Sequence, residues 1–293
     1  MTDTISKPND TASNASPAPS GVTPKSDYPT ISRFVDSGAC SKEMWEDLGQ
    51  WVNGKMNILV IGESGSGKES FLEALSGLFP VSAKIVNIGY VHGLELNPNR
   101  PFKPETMTGD DGLSISDHLN ESLRMNPDIV VIDEVRDQAA YDLMSVSYNQ
   151  VFSTLHANGP YDAIIRLRNL IGMSEEVDND TALALIASAF DIIVYVERLG
   201  YDSMKVMSIS EVASKPEMDP EFHELTVRTE PIWEFVRTGN TDDGKVIGEY
   251  RKTGEISDAT RKRHWLDFVH KPSWQECLEL EGFAGKDTET ERQ

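Results

Sequence analysis

Cysteine is nearly absent from this 293-residue chain: Cys40 and Cys277 are the two it has, and they lie far apart. They form neither a metal-ligand pair nor a disulfide framework, and read as ordinary thiols of a reducing cytosol. No apolar run approaches the roughly 18 residues a spanning helix needs, and the N-terminus lacks the pattern of a signal peptide. The expected protein is therefore soluble and cytoplasmic, meeting a membrane only through a partner. Basic residues are scarce as well, 27 Lys and Arg against 48 Asp and Glu, for a formal charge of −21. Such a field opposes a broad nucleic-acid-binding surface, and no direct nucleic-acid contact is expected. Internal repeats are missing too. What remains is a chain long enough to bury a full core in one large or two small domains.

The stretch from Asn57 to Ser70 organises the rest. Ile58 to Ile61 has strand character and runs into a glycine-rich turn. A helix follows, with Phe71, Leu72, Leu75 and Leu78 on one face, closed by Gly77 and Pro80. Gly62-Glu63-Ser64-Gly65-Ser66-Gly67-Lys68 in this setting is the Walker A signature. The glycines let backbone N–H groups converge on a polyphosphate, the helix N-terminus adds partial positive charge, and Lys68 reaches the terminal phosphates. After the lysine the pattern wants a Ser or Thr hydroxyl for Mg²⁺, and here stands Glu69. Ser70 points about 100° away on the helix and does not substitute directly. Nucleotide binding survives this departure better than hydrolysis does.

Residues 1–30, rich in Ser, Thr, Pro, Ala and Asn, read as a disordered tail. Ile31 to Lys55 fits two short amphipathic helices, with Ser41 as N-cap of the second. Beyond the Walker helix, Ala83 to Ile88 reads as a strand, residues 97–113 as a long loop, and Ile115 to Met125 as a helix ended by Asn126-Pro127. Asp128 to Glu134 reads as a buried strand ending in two carboxylates. A helix from Gln138 to Tyr148, a strand from Val151 to Leu155, and helices from Pro160 and over Thr181 to Ala189 come next. Strands follow over Asp191 to Glu197 and Lys205 to Val212. Strands alternating with helices imply a mainly parallel sheet with ligands at the strand C-terminal ends. Ile232 to Thr238 and Lys245 to Lys252 flank a turn at Asn240-Thr-Asp-Asp-Gly244 and read as a hairpin.

Asp133-Glu134 closes an apolar strand and has the form of a Walker B motif, 65 positions beyond Lys68. One carboxylate would hold Mg²⁺ and the other polarise the attacking water. Asp-Glu pairs also cap surface loops; the order after a Walker A favours the metal and water roles. Arg136 is placed to neutralise transition-state charge, in cis or from a neighbouring subunit, although a loop arginine is commonly a solvated surface residue. His156 ends the strand Phe152–His156, where it could sense the phosphate end of the site; a lone histidine is more often structural.

Together these segments resemble the type II/IV secretion ATPases, in particular the Tad/Flp-pilus assembly branch. The likeness rests on Asn57–Lys68, Asn126–Arg136, Ser153–Leu167 and Phe190–Val212. The third looks like the family's histidine box, and the hairpin Ile232–Gly254 looks like the branch's C-terminal extension. The resemblance implies a RecA-like P-loop core, α/β in class, with a mainly parallel sheet and a C-terminal β-hairpin extension. It implies a helical linker over 31–56, the ATPase domain over 57–212, a hairpin and helical extension over 213–282, and a frayed charged tail over 283–293. It also implies ATP and Mg²⁺ as cofactors, with Asp133 and Glu134 at the metal and Glu134 at the water. Residues 62 to 70 would hold the nucleotide, and Arg136, His156 and Arg166 would serve catalysis. The implied partners are copies of the chain in a hexameric ring and an inner-membrane secretion or pilus platform protein, reached at the cytoplasmic face.

Three departures accompany Glu69. Gly89 and Tyr90 stand where the family's catalytic acidic pair would fall. The loop between Asp142 and His156 is short and lacks the Gly-His element. With 61 residues ahead of Gly62, the family's separate N-terminal domain is not expected here. Two functions follow: a minimal motor coupling ATP hydrolysis to pilus assembly, conjugation or export, or a degenerate nucleotide-binding scaffold working beside an active paralogue.

Overall fold

The computed structural model describes residues 28–90, 94–97, 104–137, 139–145, 149–173, 177–200, 204–220, 223–242 and 244–282. The expected tails, the ends of the helix assigned to 138–148 and residues 98–103 of the 97–113 loop lie wholly or partly outside them. Two helices come first, α1 (Ile31–Asp36) and α2 (Lys42–Asn53). The Ser41 hydroxyl caps α2 by accepting from the Met44 N–H at 3.3 Å, as its sequence position predicts. Strand β1 (Ile58–Ile61) leads through the glycine-rich turn to α3 (Lys68–Leu75). The chain continues as β2 (Ile85–Gly89), β3 (Glu105–Thr108), α4 (Ile115–Arg124), β4 (Ile129–Ile132), α5 (Ala139–Ser145), β5 (Val151–Leu155), α6 (Pro160–Ile171) and α7 (Asn179–Ala189). Strands β6 (Ile192–Arg198) and β7 (Met204–Val212), the short pair β8 (Glu217–Met218) and β9 (Leu225–Thr226), the hairpin β10 (Thr229–Asn240) and β11 (Val246–Lys252), and helices α8 (Asp258–Arg263) and α9 (Trp274–Glu281) complete it.

Among the described residues nine strands make one sheet, in the order β11-β10-β7-β6-β1-β5-β4-β2-β3. The six from β6 to β3 run parallel, and β7, β10 and β11 continue antiparallel. The central strand, β1, pairs Ile61 with Leu155 of β5 on one side and with Tyr195 of β6 on the other. That register brings Gly62 and His156 to the same carboxyl edge, where a parallel sheet exposes its binding crevice. The α/β class and mainly parallel sheet match the expectation from sequence.

Residues 105–108, expected within a loop, instead form β3, a parallel edge strand on β2. The Glu-Thr-Met-Thr stretch lies at the sheet edge, where among the described residues one side of it pairs with nothing, and its side chains stay exposed or half-buried. The hairpin is longer than its sequence signal and belongs to the main sheet: β10 pairs with β7 from Thr229↔Val212 to Glu234↔Ser208.

The sheet separates two cores. Ile58 and Val60 face one, with Trp45, Phe71, Leu75 and Phe79; Leu59 and Ile61 face the other, with Leu119, Leu143, Ile164 and Leu183. Alternate residues of a strand point to opposite faces, so a four-residue apolar run feeds both. The first core explains the helices ahead of β1. Trp45 of α2 stacks on Phe71 of α3 with ring centroids 5.0 Å apart, and Phe34 of α1 meets Phe71 edge-on at 5.5 Å. Together they form a floor under the helix that follows the glycine-rich turn.

A buried carboxylate ties this floor to the C-terminal half. Asp47 of α2 accepts from the Trp233 indole N–H at 2.8 Å and the Lys271 ammonium at 2.6 Å, with Lys252 at 3.4 Å. Asp47→Ala removes three charged or polar contacts at once and strands the buried indole N–H. The two half-exposed lysines can turn to water. We expect a loss of about 2–3 kcal/mol in unfolding free energy, read from urea denaturation. Cys40 and Cys277 are both buried free thiols. Burial pushes both upward, Cys277 to about 12, so both stay protonated. Among the described residues no helix is long and apolar enough to cross a membrane.

Candidate functional site

The turn after β1 is built for backbone approach. A Cβ on Gly62 would sit 2.3 Å from the Val196 carbonyl oxygen and 2.4 Å from the Ser66 hydroxyl. Gly67 caps α3 at φ +95 without a side-chain hydrogen bond, so the first N–H groups of α3 keep no capping partner. The Arg198 guanidinium donates Nε to the Gly65 carbonyl at 2.7 Å and fixes the back of the loop. The Ser66 hydroxyl is buried with no hydrogen-bond partner. An orphan hydroxyl, glycines with no room for a side chain and an uncapped helix start together fit a polyphosphate. Beside them a groove of about 460 Å³ is lined by Glu63, Ser64, Asn158, Tyr195 and Glu197.

Lys68 is fully buried. Its ammonium lies 2.7 Å from Oε1 of Glu69 and 3.5 Å from both ring nitrogens of His156. The Nε2 of His156 lies 3.3 Å from Oε1 of the buried Glu134, whose other oxygen accepts from the Arg136 guanidinium. Arg136 in turn covers the Tyr90 ring, 4.6 Å from its centroid. One line of contacts therefore runs Tyr90–Arg136–Glu134–His156–Lys68–Glu69, along the carboxyl ends of β2, β4, β5 and β1. The sequence expected Lys68, Glu134, Arg136 and His156 to share a site, and the structure brings them together.

Asp133 flanks this line, its N–H on the Ile88 carbonyl and its carbonyl receiving the Thr154 hydroxyl. Its carboxyl is pushed above the usual range, first by burial, then by the charges of Glu69 and Glu134. A carboxyl held among like charges in this way is suited to share a cation with them. Among the described residues no group of three or more His, Cys, Asp or Glu could hold a metal alone. Mg²⁺ fits here only with phosphate oxygens completing its shell, which is how that ion is commonly held.

Arg166 is exposed on α6, and among the described residues no contact connects it to Lys68 or Glu134. Ser70 lies half-buried on α3. Sequence reasoning missed three contributors. Tyr90, noted only for the missing acidic pair, holds Arg136 by its face, and burial pushes its hydroxyl to about 12. Arg198 gave no local signal. Met204 at the start of β7 closes on the loop, its sulfur 2.3 Å from where a Gly67 Cβ would stand.

The family model described as type II/IV secretion system protein matches residues 36–215. The chain is 32% identical over 167 residues to the type IV secretion system protein PtlH of Bordetella pertussis, covering 53% of this chain and 49% of that protein. It is 27% identical over 173 residues to VirB11 of Agrobacterium fabrum, covering 56% and 49%. The chain thus spans about half the length of the curated relatives it matches. Its fold resembles the crystal structure of the VirB11 ATPase from the Brucella suis type IV secretion system in complex with sulphate. The TM-score is 0.53 at 21% identity, over 61% of this chain and 54% of that one.

Proposed function

The chain belongs to the type II/IV secretion system protein family, and on that premise we propose that it is a nucleotide-driven motor subunit. It binds ATP with Mg²⁺ at the 62–70 loop, hydrolyses it, and couples the cycle to pilus assembly, conjugation or export. Copies of the chain form a ring that works against an inner-membrane platform protein from the cytoplasmic side. Family membership favours this motor over the scaffold alternative. The observation that carries the reading is the buried Lys68 at an uncapped helix start, joined through His156 to Glu134 and Arg136.

Each residue has work its position suits. The loop N–H groups and Lys68 bind and orient the terminal phosphates. Asp133 and Glu69 offer oxygens to the metal; Mg²⁺ supplies neutralisation of phosphate charge when bound. Glu134, held by His156 and Arg136, is oriented to accept a proton from an attacking water. Arg136 shares its guanidinium between Glu134 and Tyr90 and would neutralise charge building on the transferred phosphate. Arg166, exposed on α6, serves a neighbouring site in the ring or none.

Steady-state phosphate release from Mg-ATP by the purified chain tests the proposal. Release well above the no-enzyme rate is expected, abolished when Lys68 is replaced. Tight nucleotide binding with no release would overturn the hydrolytic part.

A further inference from the structure

Resting on that nucleotide-site reading, we propose that Glu69 is an internal counter-ion that holds Lys68 in place of phosphate. The loop thereby selects ATP carried with a divalent cation and rejects the free nucleotide. Glu69 occupies the position after the lysine where a neutral hydroxyl would leave Lys68 unclaimed. Here its carboxylate touches the ammonium at 2.7 Å, the shortest contact Lys68 makes to a charged group. The two side chains differ in environment: Lys68 is fully buried, whereas Glu69 is 41% exposed. Lys68 cannot leave, and Glu69 can swing away.

Displacement does not remove the charge. Glu69 adjoins Lys68 in the first turn of α3, so its carboxylate stays beside any phosphate that takes its place. Asp133 lies within the same field, its carboxyl already raised first by burial and then by Glu69, and Glu134 reaches Lys68 through His156. Free ATP would thus add negative charge where Glu69 already pairs with Lys68 and Asp133 lies close by, Glu134 being paired with Arg136. Among the described residues these carboxylates do not form a metal site alone. A divalent cation arriving on the phosphates gives the displaced Glu69 and Asp133 a counter-charge. The two ligands must then enter together. A like charge held within contact range of a phosphate in a half-buried site weakens binding by about tenfold to a hundredfold.

The test is a fluorescence titration with N-methylanthraniloyl-ATP at constant ionic strength, in excess EDTA and in saturating Mg²⁺. It compares wild type with Glu69→Gln and Glu69→Thr, which alter a side chain that is itself 41% exposed. In EDTA both variants are expected to bind about tenfold or more tightly than wild type. In Mg²⁺ that advantage should vanish or reverse, so wild type shows the larger metal-dependent gain. Variants that bind free nucleotide no better than wild type, with all three proteins binding in Mg²⁺, would overturn the counter-ion role and leave the nucleotide site standing. No binding by any of the three in either condition would bring down the site itself, and the counter-ion role with it.

Discussion

Lys68→Ala is expected to weaken nucleotide binding at least a hundredfold and to abolish turnover. Among the described residues Lys68 is the sole cation in contact with both Glu69 and the His156 ring at the mouth of the loop, while Arg136 is committed to Glu134 and Tyr90. Alanine removes charge-assisted contacts to the terminal phosphates and leaves Glu69, Asp133 and Glu134 facing them with no ammonium between. Each lost contact of this kind is worth about 1.5–3 kcal/mol, and the uncompensated repulsion adds to it, so a hundredfold is a lower bound. Titration with fluorescent nucleotide in Mg²⁺ measures it directly. An affinity within a few-fold of wild type would mean that the loop backbone alone carries binding and would contradict the central place given to this lysine.

Glu134→Gln separates binding from chemistry. The amide keeps the shape of the side chain and still accepts from Arg136, so the line of contacts through His156 persists in part. It cannot take a proton from water. Removing a positioned general base costs roughly a hundredfold to ten-thousandfold, and phosphate release is expected to fall by at least a hundredfold while nucleotide affinity stays within a few-fold. Single-turnover release from preloaded protein, set beside equilibrium binding, reads the two effects independently. Unchanged release would hand the base role to Asp133, whose carboxyl, raised by burial and by Glu69, is the other proton acceptor at the strand end.

Local features carried the site's skeleton into the sequence. The strand–turn–helix around Lys68 was legible because glycine spacing and an apolar run report backbone geometry directly. Asp133-Glu134 and His156 were legible as residues closing apolar strands. What escaped was decided across the sheet. Arg198 meets Gly65 133 positions away, and Asp47 meets Trp233 across 186. Neither leaves a periodicity. Strand β3 escaped because an edge strand with one free side needs little hydrophobicity. Tyr90 was visible only as a missing carboxylate, since its role beneath Arg136 depends on β2 and β4 lying side by side. The hairpin was visible as a turn, but its docking on β7 could not be read from the turn.

That docking makes the hairpin and the phosphate loop one mechanical piece. From β11 to β1 the ladders run through β10, β7 and β6 without an intervening linker, and Met204 at the head of β7 bears on Gly67. The free edge of β11 is thus the far end of a plank whose near end carries the loop. A load applied at β11 would thus meet a continuous hydrogen-bonded path across the sheet to the strand that carries the loop.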